Sequence, residues 1–216
     1  MENRIKVLNL YAGIGGNRWL WKNVEVTAVE INPEIAEAYQ KNFPNDKVVV
    51  GDAHQFLIDN FKDFDFIWTS PPCPTHSRMR LNHKKKVYPD MKLWQEIIFL
   101  KHHFKGKWLV ENVIPYYDPL IAPTQTLQRH NFWSNFEIPF KEFNGCNVGK
   151  ATKEQLSKHH GIPLPECKNQ RLLLRNCVNP NLALHIFNCV NKNANFTTQA
   201  ILSESSFNKG YEVNQK

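Results

Sequence analysis

No apolar run in the 216 residues approaches the roughly 20 residues that a bilayer-crossing helix needs, so the sequence offers no candidate transmembrane helix. Met1-Glu-Asn-Arg4 carries an acid and polar groups, runs straight into a strand-like segment, and does not read as a secretory signal. The five cysteines (Cys73, Cys146, Cys167, Cys177 and Cys189) are odd in number and irregularly spaced, and no CxxC pair occurs. That pattern excludes a disulfide framework as the basis of the fold. It also weighs against structural zinc, whose ligands come in close pairs; Cys146, His159, His160 and Cys167 lack that pairing, and no metal is expected. The cysteines read as reduced thiols, so a special one among them is chemical rather than structural. There is no internal repeat.

What is present is a modest excess of base: 27 Lys and Arg against 20 Asp and Glu, a formal net charge of +7. This favours polyanionic partners without naming one. With 42% hydrophobic residues the chain can bury a core, and its length fits one domain with a small appendage.

Strand and helix patterns alternate. Arg4 to Leu10 reads as a strand, ending at the run Ala12-Gly-Ile-Gly-Gly16, with a helical stretch expected through Trp19 and Trp21. Val24 to Glu30 is a second strand with an acid at its end. Pro33 to Asn42 reads as a helix opened by Asn32, with proline in its first turn. Lys47 to Val50 is a third strand, leading to Gly51-Asp52. Phe64 to Thr69 is a fourth, leading to Ser70-Pro-Pro-Cys73. Met91 to His103 has helical spacing. Trp108 to Val110 is a fifth strand, followed by Glu111-Asn-Val113. Thr152 to His160 reads as a helix with a Thr152–Gln155 capping box and Gly161 at its close, and Leu182 to Val190 as a further short helix. The alternation predicts a parallel α/β sheet, and in such sheets ligands bind beyond the carboxyl ends of the strands. Each unusual cluster sits at such an end.

The clusters carry distinct chemistry. A glycine-rich turn after a first strand lets backbone approach a ligand, and Glu30 stands where a ribose-binding acid belongs. Asp52 is placed to accept from an adenine amino group. These features imply a nucleoside cofactor without separating a dinucleotide from S-adenosylmethionine. Two prolines ahead of Cys73 fix the backbone and hold one thiol at one angle, and His76, Arg78 and Arg80 follow closely. Glu111, after an apolar strand, is expected to have a raised pKa and to donate to a ring nitrogen.

Taken in order, LNLYAGIGG, VEINPE, GDAH, SPPCPTHS, VENV and RNCVNP resemble the successive motifs of the DNA cytosine-5 methyltransferase family, from Leu8 to about Asn188. The resemblance implies a Rossmann-like S-adenosylmethionine-dependent methyltransferase sheet with a small target-recognition segment. It implies a catalytic core over 1–138, a recognition segment over 139–174, a return to the cofactor site over 175–190 and a polar tail over 191–216. It implies catalytic roles for Cys73 (nucleophile), Glu111 and Arg129. The cofactor, S-adenosyl-L-methionine, would be held by Tyr11, Ala12, Gly13, Gly15, Glu30, Asp52, Ala53, Pro72, Leu93, Asn176, Cys177 and Val178. Ser77, Arg78, Arg80, Lys84, Lys85 and Lys86 would meet double-stranded DNA, and Ser77 to Lys86 is expected to be a mobile loop that closes over it. Three departures stand out. Pro74 replaces the glutamine usual after the nucleophile. Only Arg129 represents a paired-arginine motif, with His130 as a substitute for its partner. The stretch from Pro139 to Arg175 is short for sequence recognition. An RNA cytosine-5 methyltransferase and a non-catalytic DNA-binding relative are the alternatives. An amino-methyltransferase is disfavoured because Cys73 stands where those enzymes place an aromatic residue. The small size points to the cytoplasm of a bacterium or phage-infected host and to pairing with a cognate restriction enzyme.

Overall fold

In the structure, a computed structural model that describes residues 4–82 and 87–190, the chain opens with two parallel strands, Ile5–Leu10 (β1) and Val24–Glu30 (β2). There follow Pro33–Asn42 (α1), Lys47–Val50 (β3), Ala53–Asn60 (α2), Phe66–Thr69 (β4), Lys92–His103 (α3) and Lys107–Val113 (β5). Gln125–Leu127 (β6) and His130–Ser134 (β7) form a hairpin, and Lys153–His160 (α4), Gln170–Asn176 (α5) and a helix over 180–190 (α6) complete the described chain.

The sheet has the order β3-β2-β1-β4-β5-β7-β6. The first five strands are parallel, and β7 and β6 are antiparallel additions at one edge. Both faces are covered, which explains the nearly unbroken apolar runs of the central strands. Val7, Phe66, Trp68 and Leu109 pack on one face with Leu182, Ile186 and Phe187 of α6. Leu8, Leu10 and Ile67 pack on the other with Leu57 of α2 and Leu93, Ile97 and Leu100 of α3. The chain order reverses between β1 and β4, and at such a switch point the strand ends leave a crevice.

Three local expectations change. The stretch after the glycines is a series of turns and not a helix. Paired side-chain bonds between buried Asn9 and Asn17 (2.7 and 3.3 Å) and the Arg18 guanidinium on Asp46 (2.9 and 3.1 Å) hold it in that path. β5 runs through Glu111 and Asn112 to Val113, because β7 pairs alongside those residues. The sheet is mixed, not wholly parallel. The segment 139–174 brings Ala151, Leu156, Ile162 and Leu174 against Ile14 of the glycine loop and Ala38 of α1.

Candidate active site

The crevice above the switch point is a cavity of about 310 Å³. Its floor begins at Tyr11, which leaves β1 with φ of 56°. That left-handed backbone is uncommon for a side chain of this size and implies a fixed partner. The Tyr11 hydroxyl donates to Glu96 Oε1 at 2.6 Å. Glu96 is fully buried; it also accepts from the Thr69 hydroxyl at 2.6 Å and meets His54 Nδ1 at 3.0 Å. The β1 and β4 ends are thereby tied to α2 and α3. Burial and Glu96 raise the Tyr11 phenol far above its usual range, while the bond to Glu96 raises the His54 pKa. Gly15 has φ of +83° with Phe43 against it, so a side chain there has neither conformation nor room.

Glu30 ends β2 at the cavity wall. Its carboxylate accepts from Gly13 N–H at 3.0 Å and Asn32 N–H at 2.9 Å, one bond to each oxygen. Each oxygen keeps a lone pair for a further donor.

Cys73 lines the same cavity. Its carbonyl accepts from His76 N–H and Ser77 N–H, both at 3.0 Å, so the chain turns immediately after the thiol. The Pro-Pro segment is fastened to β5, where the Asn112 amide donates to the Pro71 carbonyl at 2.9 Å. Burial and the charge of Glu111 push the Cys73 thiol up; the Arg129 guanidinium, the cysteine's own N–H and Arg175 pull it down, and the net shift is upward.

Glu111, one residue beyond the Thr69–Val110 pair of β4 and β5, lines the same cavity as Cys73 and is 7% exposed. Burial raises its carboxyl to about 7, against a hydrogen bond from Ser70 and the charge of Arg129 that favour the ionised form. His130 Nε2 lies 3.5 Å from Glu111 Oε1. Burial and Arg129 hold that imidazole down at about 3, so this is a neutral ring beside a carboxyl and not an ion pair. Arg129 also lines the cavity, its guanidinium donating to the carbonyls of Arg175 (2.6 Å) and Cys177 (3.4 Å). That contact closes the site from the C-terminal side.

Of the residues singled out by sequence, Tyr11, Ala12, Gly13, Glu30, Pro72, Cys73, Glu111, Arg129, Asn176, Cys177 and Val178 line this one cavity. Four of the expected cofactor residues lie outside its lining. Gly15 backs onto Phe43 and Tyr39. Asp52 caps α2, accepting from His54 and Gln55 N–H, and faces Lys92 at 3.6 Å. Ala53 and Leu93 are in the core on the α2/α3 face. Pro74 lines the cavity where a glutamine was expected. Ser77 bridges to Pro115, and Arg78 Nε donates to the Pro115 carbonyl at 3.4 Å. Arg80 lies in a 3₁₀ turn over Arg78–Asn82, and Lys84, Lys85 and Lys86 fall outside the described residues. Sequence reading missed Ser70, Asn112 and Glu96, whose parts depend on partners distant along the chain.

A family model described as C-5 cytosine-specific DNA methylase matches residues 5–119, more than half of the chain. The chain is 23% identical over 178 residues to the Type II methyltransferase M1.HgaI of Avibacterium volantium, covering 72% of this chain and 49% of that protein. It is 35% identical over 80 residues to the tRNA (cytosine(38)-C(5))-methyltransferase of Spodoptera frugiperda, covering 34% of this chain and 24% of that protein. It thus spans about half the length of the first relative and about a quarter of the second. Among solved structures, the methyltransferase EhMeth of Entamoeba histolytica shares the fold, with a TM-score of 0.56 at 12% identity over 89% of this chain and 99% of that one.

C-5 methyltransferases of this fold use S-adenosylmethionine as methyl donor. The cavity suits that molecule: Glu30 has acceptor capacity for a ribose diol, Ile31 and Ile35 offer apolar flanks for a purine, and Tyr11 and Pro72 border the route to Cys73. With residues 5–119 matched along the stretch that carries the glycine loop, Cys73 and Glu111, the chain belongs to the C-5 cytosine-specific DNA methylase family.

Proposed function

We propose that the chain transfers a methyl group from S-adenosylmethionine to carbon 5 of a cytosine flipped out of double-stranded DNA, through a covalent bond from Cys73 to carbon 6. The observation that carries this reading is the meeting of Cys73, Glu111 and Arg129 in the wall of the cavity that also holds the glycine loop and Glu30. Carbon 5 of cytosine is a weak nucleophile. Addition of the Cys73 thiolate to carbon 6 makes carbon 5 enamine-like, and Glu111 bonds ring nitrogen 3, where charge develops. The bound cofactor supplies an electrophilic methyl group. Loss of the carbon-5 proton then expels the Cys73 thiolate and restores the ring.

The protonation pattern has a definite cost. Glu111 titrates near 7 and Cys73 above its ordinary value, so between these values the pair holds one proton, mainly on sulfur. The productive arrangement has that proton on Glu111 and a thiolate at Cys73. Arg129, on the same wall, favours the thiolate.

A second reading, methylation of cytosine in RNA, is favoured by the 35% identity to the tRNA enzyme. The DNA reading rests on the longer match to M1.HgaI, over 72% of the chain. On it the protein works in the cytoplasm of a bacterium or phage-infected host, opposite a cognate restriction enzyme. The test is incubation with methyl-labelled cofactor and either duplex DNA or tRNA, followed by nucleoside separation. Label in 5-methylcytosine of DNA supports the proposal. Label confined to RNA selects the second reading, and label on an exocyclic nitrogen, or none, overturns both.

A further inference from the structure

α5 is a partition. One side of it, Leu173 and Asn176, lines the cavity that contains Cys73; the other, Arg171, Leu172 and Arg175, lines a separate open groove of about 520 Å³. The groove also takes in Lys153 from α4 and Lys168 from the turn before α5. Four cations therefore face one groove, and among the described residues no acid lines it. Arg171 and Arg175 stand four residues apart on one helix, a like-charge spacing that destabilises a helix by roughly 0.2–0.5 kcal/mol. Partners within the protein use only part of this donor capacity. Arg171 donates to the carbonyls of Ala151 and Gly149 (both 2.8 Å), and Lys153 donates to Gln170 (2.9 Å) and lies 3.9 Å from Glu154. Lys168 is exposed and its backbone N–H, not its ammonium, is held by Glu34 (2.7 Å).

The groove adjoins the active-site cavity across α5. The Arg175 carbonyl accepts from Arg129 at 2.6 Å, and the Arg175 charge acts on the Cys73 thiol. Four cations on the far side of the helix that borders the nucleophile's cavity match a polyanion whose reacting base enters that cavity.

We propose that this groove, through Lys153, Lys168, Arg171 and Arg175, binds the phosphodiester backbone of the nucleic acid strand that carries the target cytosine. It deepens the proposed function and rests on it for the identity of that strand. Phosphate contact is sequence-independent and sets register. The groove is built largely from 151–175, so the short segment after Pro139 serves to position the strand more than to read its sequence.

Binding of fluorescent duplex DNA, and separately of a tRNA, is titrated over a range of salt concentrations for wild type, Lys168→Ala and Lys153→Ala/Lys168→Ala. Each phosphate contact removed should lower the slope of log affinity against log salt by about 0.9 for duplex and by about 0.7 for single strands. Lys168→Glu should weaken binding further. Lys62→Ala/Lys105→Ala, in a pocket beside the start of β5, is the control and should leave the slope unchanged. Circular dichroism melting confirms that each variant is folded. The arm that shows the slope change identifies DNA or RNA as the strand. An unchanged slope in both arms, or an equal loss in the control, overturns the groove. Methyl transfer is measured in parallel: groove-dependent binding without transfer refutes the methyltransferase reading alone, and transfer with unchanged slopes refutes the groove alone.

Discussion

The indole N–H of Trp68 donates to Ser70 Oγ at 3.0 Å, two residues along the same strand end. Indole nitrogen is only a donor, so the serine oxygen accepts and its single hydrogen is left for another partner. That partner is Glu111, whose ionised form the Ser70 hydroxyl stabilises against burial. Ser70→Ala should therefore push the Glu111 carboxyl above about 7. Cys73 reports this without cofactor or substrate, because ionised Glu111 disfavours the thiolate. Peptide-resolved alkylation of Cys73 against pH should show a break where Glu111 ionises. Ser70→Ala should move the break to higher pH, Ser70→Thr should largely restore it, and Glu111→Gln should remove it. A break that stays in place in Ser70→Ala would exclude the serine from tuning the glutamate.

Glu111→Gln should separate function from stability. The amide cannot carry the proton that nitrogen 3 requires, and general acid–base groups contribute roughly 10²–10⁴ in rate, so single-turnover methyl transfer should fall by that order while nucleic acid affinity changes little. Stability should move the other way. The folded pKa is raised from 4.5 to about 7, so between those values the native state binds more protons than the unfolded chain, and stability falls as pH rises through the window. The glutamine variant should match wild type near pH 4.5 and withstand more urea than wild type above about 7. Equal urea midpoints at both ends would show that the buried carboxyl carries no such strain.

How much of this could be read in advance depends on how local each determinant is. α1 was legible to the residue because its signals are adjacent: Asn32 accepts from Glu34 N–H and Ile35 N–H, and Pro33 opens the helix. α4 was legible for the same reason, with the Thr152–Gln155 box and left-handed Gly161 both formed. The end of β5 was not. Glu111 and Asn112 are polar, and only pairing with Phe132 and Asn131 of β7 makes them strand. β7 is five residues long and mixes histidine and asparagine with aromatics, so its pattern is mute without β5 beside it. In the site, Cys73 and Glu111 each announced themselves at a strand end. Asn112 holds Pro71 from 41 residues away and Arg129 reaches Arg175 over 46, separations that no spacing rule exposes.

Cys73→Ser should abolish methyl transfer, because a serine hydroxyl supplies no thiolate for addition to carbon 6. S-adenosylhomocysteine affinity should change little, since the acceptors for the cofactor are Glu30 and the glycine-loop backbone and not the thiol. Nucleic acid containing 5-fluorocytosine should trap the wild type as a denaturation-resistant adduct, because fluorine does not leave as a proton does. The same bait prepared as duplex DNA and as RNA also reports which strand is taken. Adduct formation by the serine variant, or transfer at the wild-type rate, would remove Cys73 from the mechanism.

Gly16 is where the glycine loop meets the segment after α5. A β-carbon there would stand 2.8 Å from Cys177 Cβ, 2.9 Å from its Sγ and 3.2 Å from the Val178 carbonyl. The sulfur can swing away, but the other two atoms move only with the backbone of the segment after α5. Cys177 and Val178 border the cavity, and Arg129 holds the Cys177 carbonyl at 3.4 Å, so that backbone shift is transmitted to the site. Gly16→Ala should therefore destabilise the protein by about 1–3 kcal/mol, the usual range for overpacking, and should weaken S-adenosylhomocysteine binding by calorimetry. Adding Cys177→Ala removes only the sulfur contact, so the pair should recover part of the stability and less of the affinity. A Gly16→Ala variant with unaltered melting and unaltered affinity would mean that the glycine loop and the 177–178 segment are not closed on each other in solution.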